Sequence, residues 1–273
     1  MAQKKSGAPA RPGYTGSMTV QTQFRRLARG AIATLRRESV SHEGMILPGR
    51  HLRFGGRHFQ QNDAFASSAR KEAMRLVMSF GLNLDSSLLE IGCGPGRLPI
   101  GILDRVGDIR QYQGLDVSRT PIEWCQKNIT RRHSSFVFTH VDVQNDRYNK
   151  SGTLSQEDLR LPANDASVDI VYLYSVFSHL RAPDVGAYLR EFRRVLKKDG
   201  HVFLTAFVED NVPEEEENPA HYGPMEWHGA LHCVRFSSVF FRGMITASGF
   251  RIDREEHGTE TDGQTGFYLS VAA

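Results

Sequence analysis

The sequence predicts an α/β protein built on a doubly wound, mostly parallel seven-stranded sheet with helices on both faces. Three observations carry this expectation. From residue 65 onward, apolar runs of strand length alternate with helical patterns, the rhythm of a sheet covered by helices. The run over 168–177 is strongly apolar, as a strand buried on both faces is. The first of them, Leu88-Leu89-Glu90-Ile91, runs directly into a glycine-rich turn, Gly92-Cys93-Gly94-Pro95-Gly96, and then into a helical pattern.

Residues 1–16 are rich in Gly, Pro, Ala and Lys and read as a disordered tail. Residues 17–39 carry Phe24, Leu27, Ala28, Ile32 and Leu35 at helical spacing. Residues 41–61 are rich in Gly, His and Arg, show no period and read as a loop. Within it, the stretch from His51 to Phe59, including His58, sets glycines beside aromatic and basic groups, a composition that suits a lid. Arg53 and Arg57 there are either contacts for a carboxylate or phosphate, or surface charges. The division is therefore a tail (1–16), an N-terminal helix and lid (17–64) and a main domain (65–273). In the main domain, residues 66–80 are helical and close at Gly81, a C′ glycine. Strands follow at 88–91, 112–117, 136–143, 168–177 and 201–208, with helices at 98–106, 121–131 and 184–196. Pro121 suits a helix start, and Lys197, Lys198 and Gly200 suit a helix end. An acidic run at 214–217 opens a polar, ring-containing insert over 209–235, expected as a loop after the fifth strand. A helix at 236–248 and strands at 250–256 and 266–271 complete the chain.

The 273 residues, 40% hydrophobic and 24% charged, suffice for a sizeable core without staples. The longest apolar run, 168–177, contains Asp169 and is too short to span a bilayer. No apolar segment of signal-peptide type stands at the N-terminus. Cys93, Cys125 and Cys233 lie far apart with no CxxC spacing to suggest zinc, and their odd count does not suggest a disulfide framework, so a reducing cytoplasm is the simplest setting. The net charge of +3 is too mild to argue for nucleic acid. Basic residues do crowd the first 37 positions. A solvated basic helix is the plainest reading, with a transit peptide or an arm for an anionic partner as alternatives.

The glycine turn carries the chemistry. Gly92 and Gly94 lack a Cβ and let a ligand approach the backbone, and the helix that follows offers unpaired N–H groups. A nicotinamide fingerprint wants a glycine where Arg97 stands, and a P-loop wants Gly-Lys-Ser/Thr, which is missing. Glu90-Ile91-Gly92-Cys93-Gly94-Pro95-Gly96 instead resembles motif I of class I (Rossmann-like) S-adenosylmethionine-dependent methyltransferases. Gly114-Leu115-Asp116-Val117-Ser118 resembles their second motif and His140-Val141-Asp142-Val143 their third. Residues 168–177 resemble the fourth strand, which ends at Ser175. The likeness covers roughly residues 65–208 and implies S-adenosyl-L-methionine as cofactor and an antiparallel last strand. It further implies cofactor contacts from Glu90, Gly92, Gly94, Gly96, Asp116, Val117, Asp142, Val143 and Ser175, with Asp116 on the ribose hydroxyls and Asp142 on the adenine amino group. Plainer roles stand beside these: a cap for Glu90, turn formers for Asp116 and Asp142, and packing for Cys93, Trp124 and Cys125.

Methyl transfer is an in-line displacement, and an alcohol acceptor gains from a base. His179, just past the fourth strand, is the candidate base; its plainer role is structural, at the start of the next helix. Tyr222, Trp227, His228 and His232 in the insert suit recognition of sugars or polar rings; the alternative is an ordered loop held by its own aromatics. His228 and His232 have helical i, i+4 spacing, but Gly229 interrupts it and no partner acid is evident, so no metal is expected. Residues 256–264 either reach the acceptor or form a hairpin loop. The expected function is O-methylation of a small-molecule or glycoside hydroxyl, in a protein free of membrane spans and compatible with homo-oligomers. Methylation of RNA or protein, and a non-catalytic cofactor-binding subunit, are the alternatives. No Asn-Pro-Pro-Tyr or Asp-Pro-Pro-Tyr follows the fourth strand, which argues against amino-group methylation of a base.

Overall fold

The computed structural model describes residues 38–54, 56–155 and 159–272. The expected tail and nearly all of the expected helix at 17–39 lie outside the described residues. The description begins with a hairpin of β1 (Ser39–His42) and β2 (Met45–Pro48), where the sequence suggests a loop. The hairpin turns at Glu43 and Gly44, both with positive φ. Its two strands are only four residues each, too short to show a period: Met45 and Leu47 enter the main core, while residues 41, 43 and 44 are exposed. Leu52 and Phe59 join the same core. The described residues from 38 onward form one compact unit, so residues 38–64 pack with the main domain.

Helix α1 (Asn62–Phe80) starts four residues earlier than its apolar pattern, and buries Phe65, Ala66, Ala69, Ala73 and Leu76 as a stripe. Gly81 closes it in the left-handed conformation, φ 68°. There follow β3 (Ser87–Ile91), α2 (Arg97–Arg105), β4 (Gln111–Asp116), α3 (Arg119–Cys125), β5 (Phe136–His140), β6 (Val168–Leu173), α4 (Ala182–Val195) and β7 (Leu196–Glu209). Helix α3 continues as one wider turn over Gln126–Thr130. The chain ends with β8 (Glu215–Glu217), β9 (Val234–Ser237), α5 (Ser238–Ala247), β10 (Phe250–Glu256) and β11 (Thr265–Val271).

Seven strands hydrogen-bond in the order β10-β11-β7-β6-β3-β4-β5. Strands β3 to β7 are mutually parallel, and β11 runs antiparallel to both of its neighbours. This is the expected sheet, including its antiparallel last strand. Every residue of β3 is buried, and the strand divides its side chains between two cores. Leu89 and Ile91 join α4 and α5 on one face, and Leu88 joins α1 and α2 on the other. Two further strands extend the sheet from the insert: β9 lies parallel to β7, and β8 antiparallel to β9. Three glutamates have poor strand propensity, so β8 is held by tertiary charge pairs. Arg181 meets Glu215 and Glu217, and Arg235 meets Glu216. Among the described residues, no helix is long and apolar enough to cross a membrane.

Candidate cofactor and acceptor site

From β3 the chain leaves to β4 on one side, while β6 lies on the other. The carboxyl ends of β3 and β6 therefore border the crevice at the switch point of the sheet, where ligands of such folds bind. The glycine turn occupies this place. Gly92 and Cys93 both donate their N–H to Leu115 O, 2.8 and 3.0 Å, which ties the turn to β4. Gly92 has φ 72°, and an added Cβ would lie 2.7 Å from Val176 Cγ2. Gly94 has φ 49°, and its missing Cβ faces open space with no atom within 4 Å. Gly96, left-handed at φ 80°, is the N-cap of α2. Arg97, standing where a nicotinamide site has glycine, spans Phe59 and Tyr174, with ring centroids 5.3 and 5.1 Å away, and donates to Ser68 Oγ at 2.7 Å.

Asp116 ends β4 beside this turn. Its Oδ2 accepts the Gly94 N–H and its Oδ1 the Ser118 N–H, both at 2.7 Å. Burial raises its pKa, and these two N–H donors pull the other way. Each carboxylate oxygen keeps a second lone pair, so the group can still accept two hydroxyls. Val117 O accepts from His140 Nε2 at 3.1 Å; the carbonyl can only accept, so that nitrogen carries the hydrogen. Asp142 accepts from Asn149 Nδ2, Thr153 N and Thr153 Oγ1 at 3.1, 3.3 and 2.8 Å and so also holds together the loop after β5. Val143 is buried.

Glu90 lies beneath the turn, 5% exposed. The Tyr112 hydroxyl donates to its carboxyl. Burial pushes its pKa up to about 8, opposed by the Tyr112 bond and by the positive charge of Arg97. At neutral pH it is largely protonated, and it underlies the turn as a neutral acid.

At the end of β6, Ser175 adopts a positive φ of 57°. A closed polar ring holds it there. Its N–H donates to Thr205 Oγ1 (2.8 Å), the Thr205 hydroxyl donates to Gln264 Oε1 (2.7 Å), and Gln264 Nε2 donates to Ser175 Oγ (2.9 Å). Residues 256–264 thus send Gln264 to the site. Thr205, inside an apolar strand, gave no sign in the sequence beyond being a hydroxyl among apolar neighbours.

His179 follows in a short 3-10 turn, Phe177–His179. Its Nδ1 lies 2.9 Å from Leu231 O. A carbonyl can only accept, so Nδ1 carries the hydrogen and Nε2 the lone pair. Burial lowers the pKa to about 4, which leaves the ring neutral at pH 7. Leu231 belongs to the insert, so the insert reaches the candidate base. Within the insert, His232 Nδ1 accepts the His228 N–H at 3.0 Å, although no helix is present there. His228 is exposed beside Glu226. Trp227 is buried against Phe207 and His232 and donates to Tyr222 O at 2.7 Å; Tyr222 donates to Glu209 at 3.2 Å. Trp227, Cys233 and Tyr222 of the insert form a small core with Phe207 of β7. His58 is exposed, its ring 4.0 Å from that of Phe59. The Arg53 side chain is buried under the loop, donating to Pro48 O and Phe59 O.

The turn fits an S-adenosyl group: an open glycine face, a carboxylate at the next strand end and a helix start meet at one crevice. Residues 89–204 match the family described as "Methyltransferase domain". The chain is 24% identical over 181 residues to a malonyl-[acyl-carrier protein] O-methyltransferase of Pseudescherichia vulneris, covering 66% of this chain and 61% of that protein. It is 31% identical over 114 residues to a demethylmenaquinone methyltransferase of Lactobacillus johnsonii, covering 42% and 41%. The match thus spans less than two thirds of either relative. The crystal structure of the Burkholderia thailandensis 1,6-didemethyltoxoflavin-N1-methyltransferase, with its bound substrate and S-adenosylhomocysteine, shares the fold. Its TM-score is 0.52 at 13% identity, over 97% of this chain and all of that one. Residues 89–204 thus carry a methyltransferase domain on a class I, Rossmann-like fold, and S-adenosyl-L-methionine is its cofactor.

Proposed function

We propose that the protein methylates an oxygen atom of a small-molecule acceptor, a glycoside hydroxyl being one candidate. The observation that carries the reading is Asp116, fixed by the N–H groups of Gly94 and Ser118 beside a glycine on which no side chain of the protein packs. S-adenosyl-L-methionine, when bound, supplies an electrophilic methyl group on a sulfonium. The chain's own work is then to hold it, to place the acceptor and to take a proton. Asp116 accepts the ribose hydroxyls. Asp142 and Val143, on the loop after β5, border the adenine. The ring of Ser175, Thr205 and Gln264 fixes the backbone where the acceptor enters. His179 Nε2 takes the hydroxyl proton, and its neutrality at pH 7 supports this role. Tyr222, His228 and His232 stand on the insert side of the acceptor, with Trp227 holding the insert in shape. The reaction named for the Pseudescherichia relative is also an O-methylation. Three buried cysteines without disulfides support a cytoplasmic setting.

Calorimetric titration with S-adenosylhomocysteine tests the first step. The wild type should bind, and Asp116→Ala should bind more weakly by about 1–3 kcal/mol, the loss expected for charge-assisted hydrogen bonds. Absence of binding by the wild type would overturn the reading.

A further inference from the structure

Arg147 stands out among the arginines near the carboxyl edge of the sheet. Arg181 and Arg235 each meet a carboxylate. The Arg147 guanidinium has no hydrogen bond or ion pair among the described residues, and its Nε is buried without a partner. A buried donor without a partner is costly, and such groups call for an explanation in function.

The loop that carries Arg147 is firmly built. Asn145, buried, accepts the N–H groups of Arg147 and Tyr148 on its Oδ1, both at 3.0 Å. Its Nδ2 donates to the carbonyl of His179 at 3.4 Å. The loop is thereby fastened to the turn bearing the candidate base. The Tyr148 ring meets the His179 ring edge-on at 5.3 Å, and the Arg147 guanidinium carbon lies 5.4 Å from the Tyr148 ring centre. His232 approaches from the insert. Burial foremost, and the positive charge of Arg147 in addition, depresses the protonation of both imidazoles. His232 accepts the His228 N–H on Nδ1, so its Nε2 carries a hydrogen. Loops after β5, β6 and β8 thus bring together an unneutralised guanidinium, an imidazole N–H donor and an imidazole lone pair. An unpaired guanidinium fork matches the two oxygens of a carboxylate or phosphate.

We propose that Arg147, assisted by His232, is the subsite for an oxyanion on the acceptor, a carboxylate or a phosphate ester carried beside the oxygen that is methylated. The inference rests on the methyltransferase reading and narrows its substrate class to anionic acceptors. Arg147 is a binding residue here; His179 beside it remains free to take the proton.

The test is calorimetric titration of the full chain with benzoate, phenyl phosphate and benzamide, with and without saturating S-adenosylhomocysteine. Benzoate or phenyl phosphate should bind at least about ten-fold more tightly than neutral benzamide. The better of the two identifies the acceptor's anion as carboxylate or phosphate. Arg147→Gln should erase that preference, Arg147→Lys should keep part of it, and both should hold S-adenosylhomocysteine within about two-fold of the wild type. Equal binding of the charged and neutral probes by the wild type overturns the proposal whatever the variants do. So does an undiminished preference in a folded Arg147→Gln protein, with folding checked by its melting temperature. Failure of the wild type to bind S-adenosylhomocysteine overturns the methyltransferase reading, and with it the assignment to an acceptor, even where the oxyanion preference stands.

Discussion

Two glycines separated by one residue do different work in the turn after β3. Gly92 is required by its neighbour, since a methyl group would collide with Val176 Cγ2 at 2.7 Å. Gly94 is required by its conformation and by whatever occupies the open space before it. Gly92→Ala should therefore lower stability by roughly 1–3 kcal/mol through the clash in addition to backbone strain. Gly94→Ala should carry the strain alone, about 1–2 kcal/mol, yet abolish measurable binding of S-adenosylhomocysteine. Urea unfolding and calorimetry on the two variants separate these effects; equal stability loss would contradict the assignment. His179 gives a second expectation at this scale. Burial lowers its pKa to about 4, so the deprotonated base persists well below the usual histidine range. With a hydroxyl acceptor, the acid limb of kcat/KM should fall near pH 4 rather than near 6.5, and His179→Gln should reduce kcat by about 10²–10⁴. An acid limb near pH 6.5 would remove His179 from the role. Both glycines were legible in the sequence as a motif, but which one touches a side chain was not.

Helices α1 and α2 cross at a contact that only one residue type permits. A Cβ on Gly101 would lie 2.0 Å from the carbonyl oxygen of Ala69 in α1, a backbone atom that cannot step aside. Gly101→Ala should push the helices apart, costing about 1–3 kcal/mol or more, which chemical denaturation measures directly; a change under ~0.5 kcal/mol would mean that the helices pack elsewhere. The sequence placed a helix around Gly101 without giving any reason for a glycine inside it, because the reason lies thirty-two residues away. The same distance problem hid four strands, β1, β2, β8 and β9, the last of which lies beside β7 where the sequence suggested the end of a loop and the start of a helix. In β8 the glutamates pair with Arg181 and Arg235, and β1 and β2, four residues each, are too short to show a period. Periodicity reports on burial within one element, whereas these elements are stabilised by contacts with others.

Across the whole molecule, the sheet encloses an acid that gains from being neutral. Glu90 has a folded pKa of about 8 against an ordinary value of 4.5. The folded state then holds a proton that the unfolded chain releases between these values. The contribution of Glu90 is fully present below about pH 4.5 and is lost as pH rises through about 8. Glu90→Gln keeps an acceptor for the Tyr112 hydroxyl and removes the titration. The stability of the wild type relative to Glu90→Gln should fall between pH 5 and pH 8.5 by roughly 1–4 kcal/mol, and a flat difference by urea unfolding would show that the acid is not neutral in the fold. The sequence showed an acid before the turn. Whether it meets solvent or lies under the sheet depends on Tyr112, Arg97 and the strands on either side.

The sequence by itself determined the sheet and its likeness to a methyltransferase, because apolar runs report burial locally and the glycine turn is contiguous in the chain. It also singled out Asp116 and His179 as positions at strand ends. Only the tertiary structure decided what surrounds them. Gln264 and Thr205 reach Ser175 from 89 and 30 residues away, Leu231 fixes the tautomer of His179 from 52, and Arg147 stands unpaired beside that histidine. A hydrogen bond or a missing counter-charge between distant segments leaves no trace in local pattern, since it exists only once the loops at the carboxyl edge have been brought together.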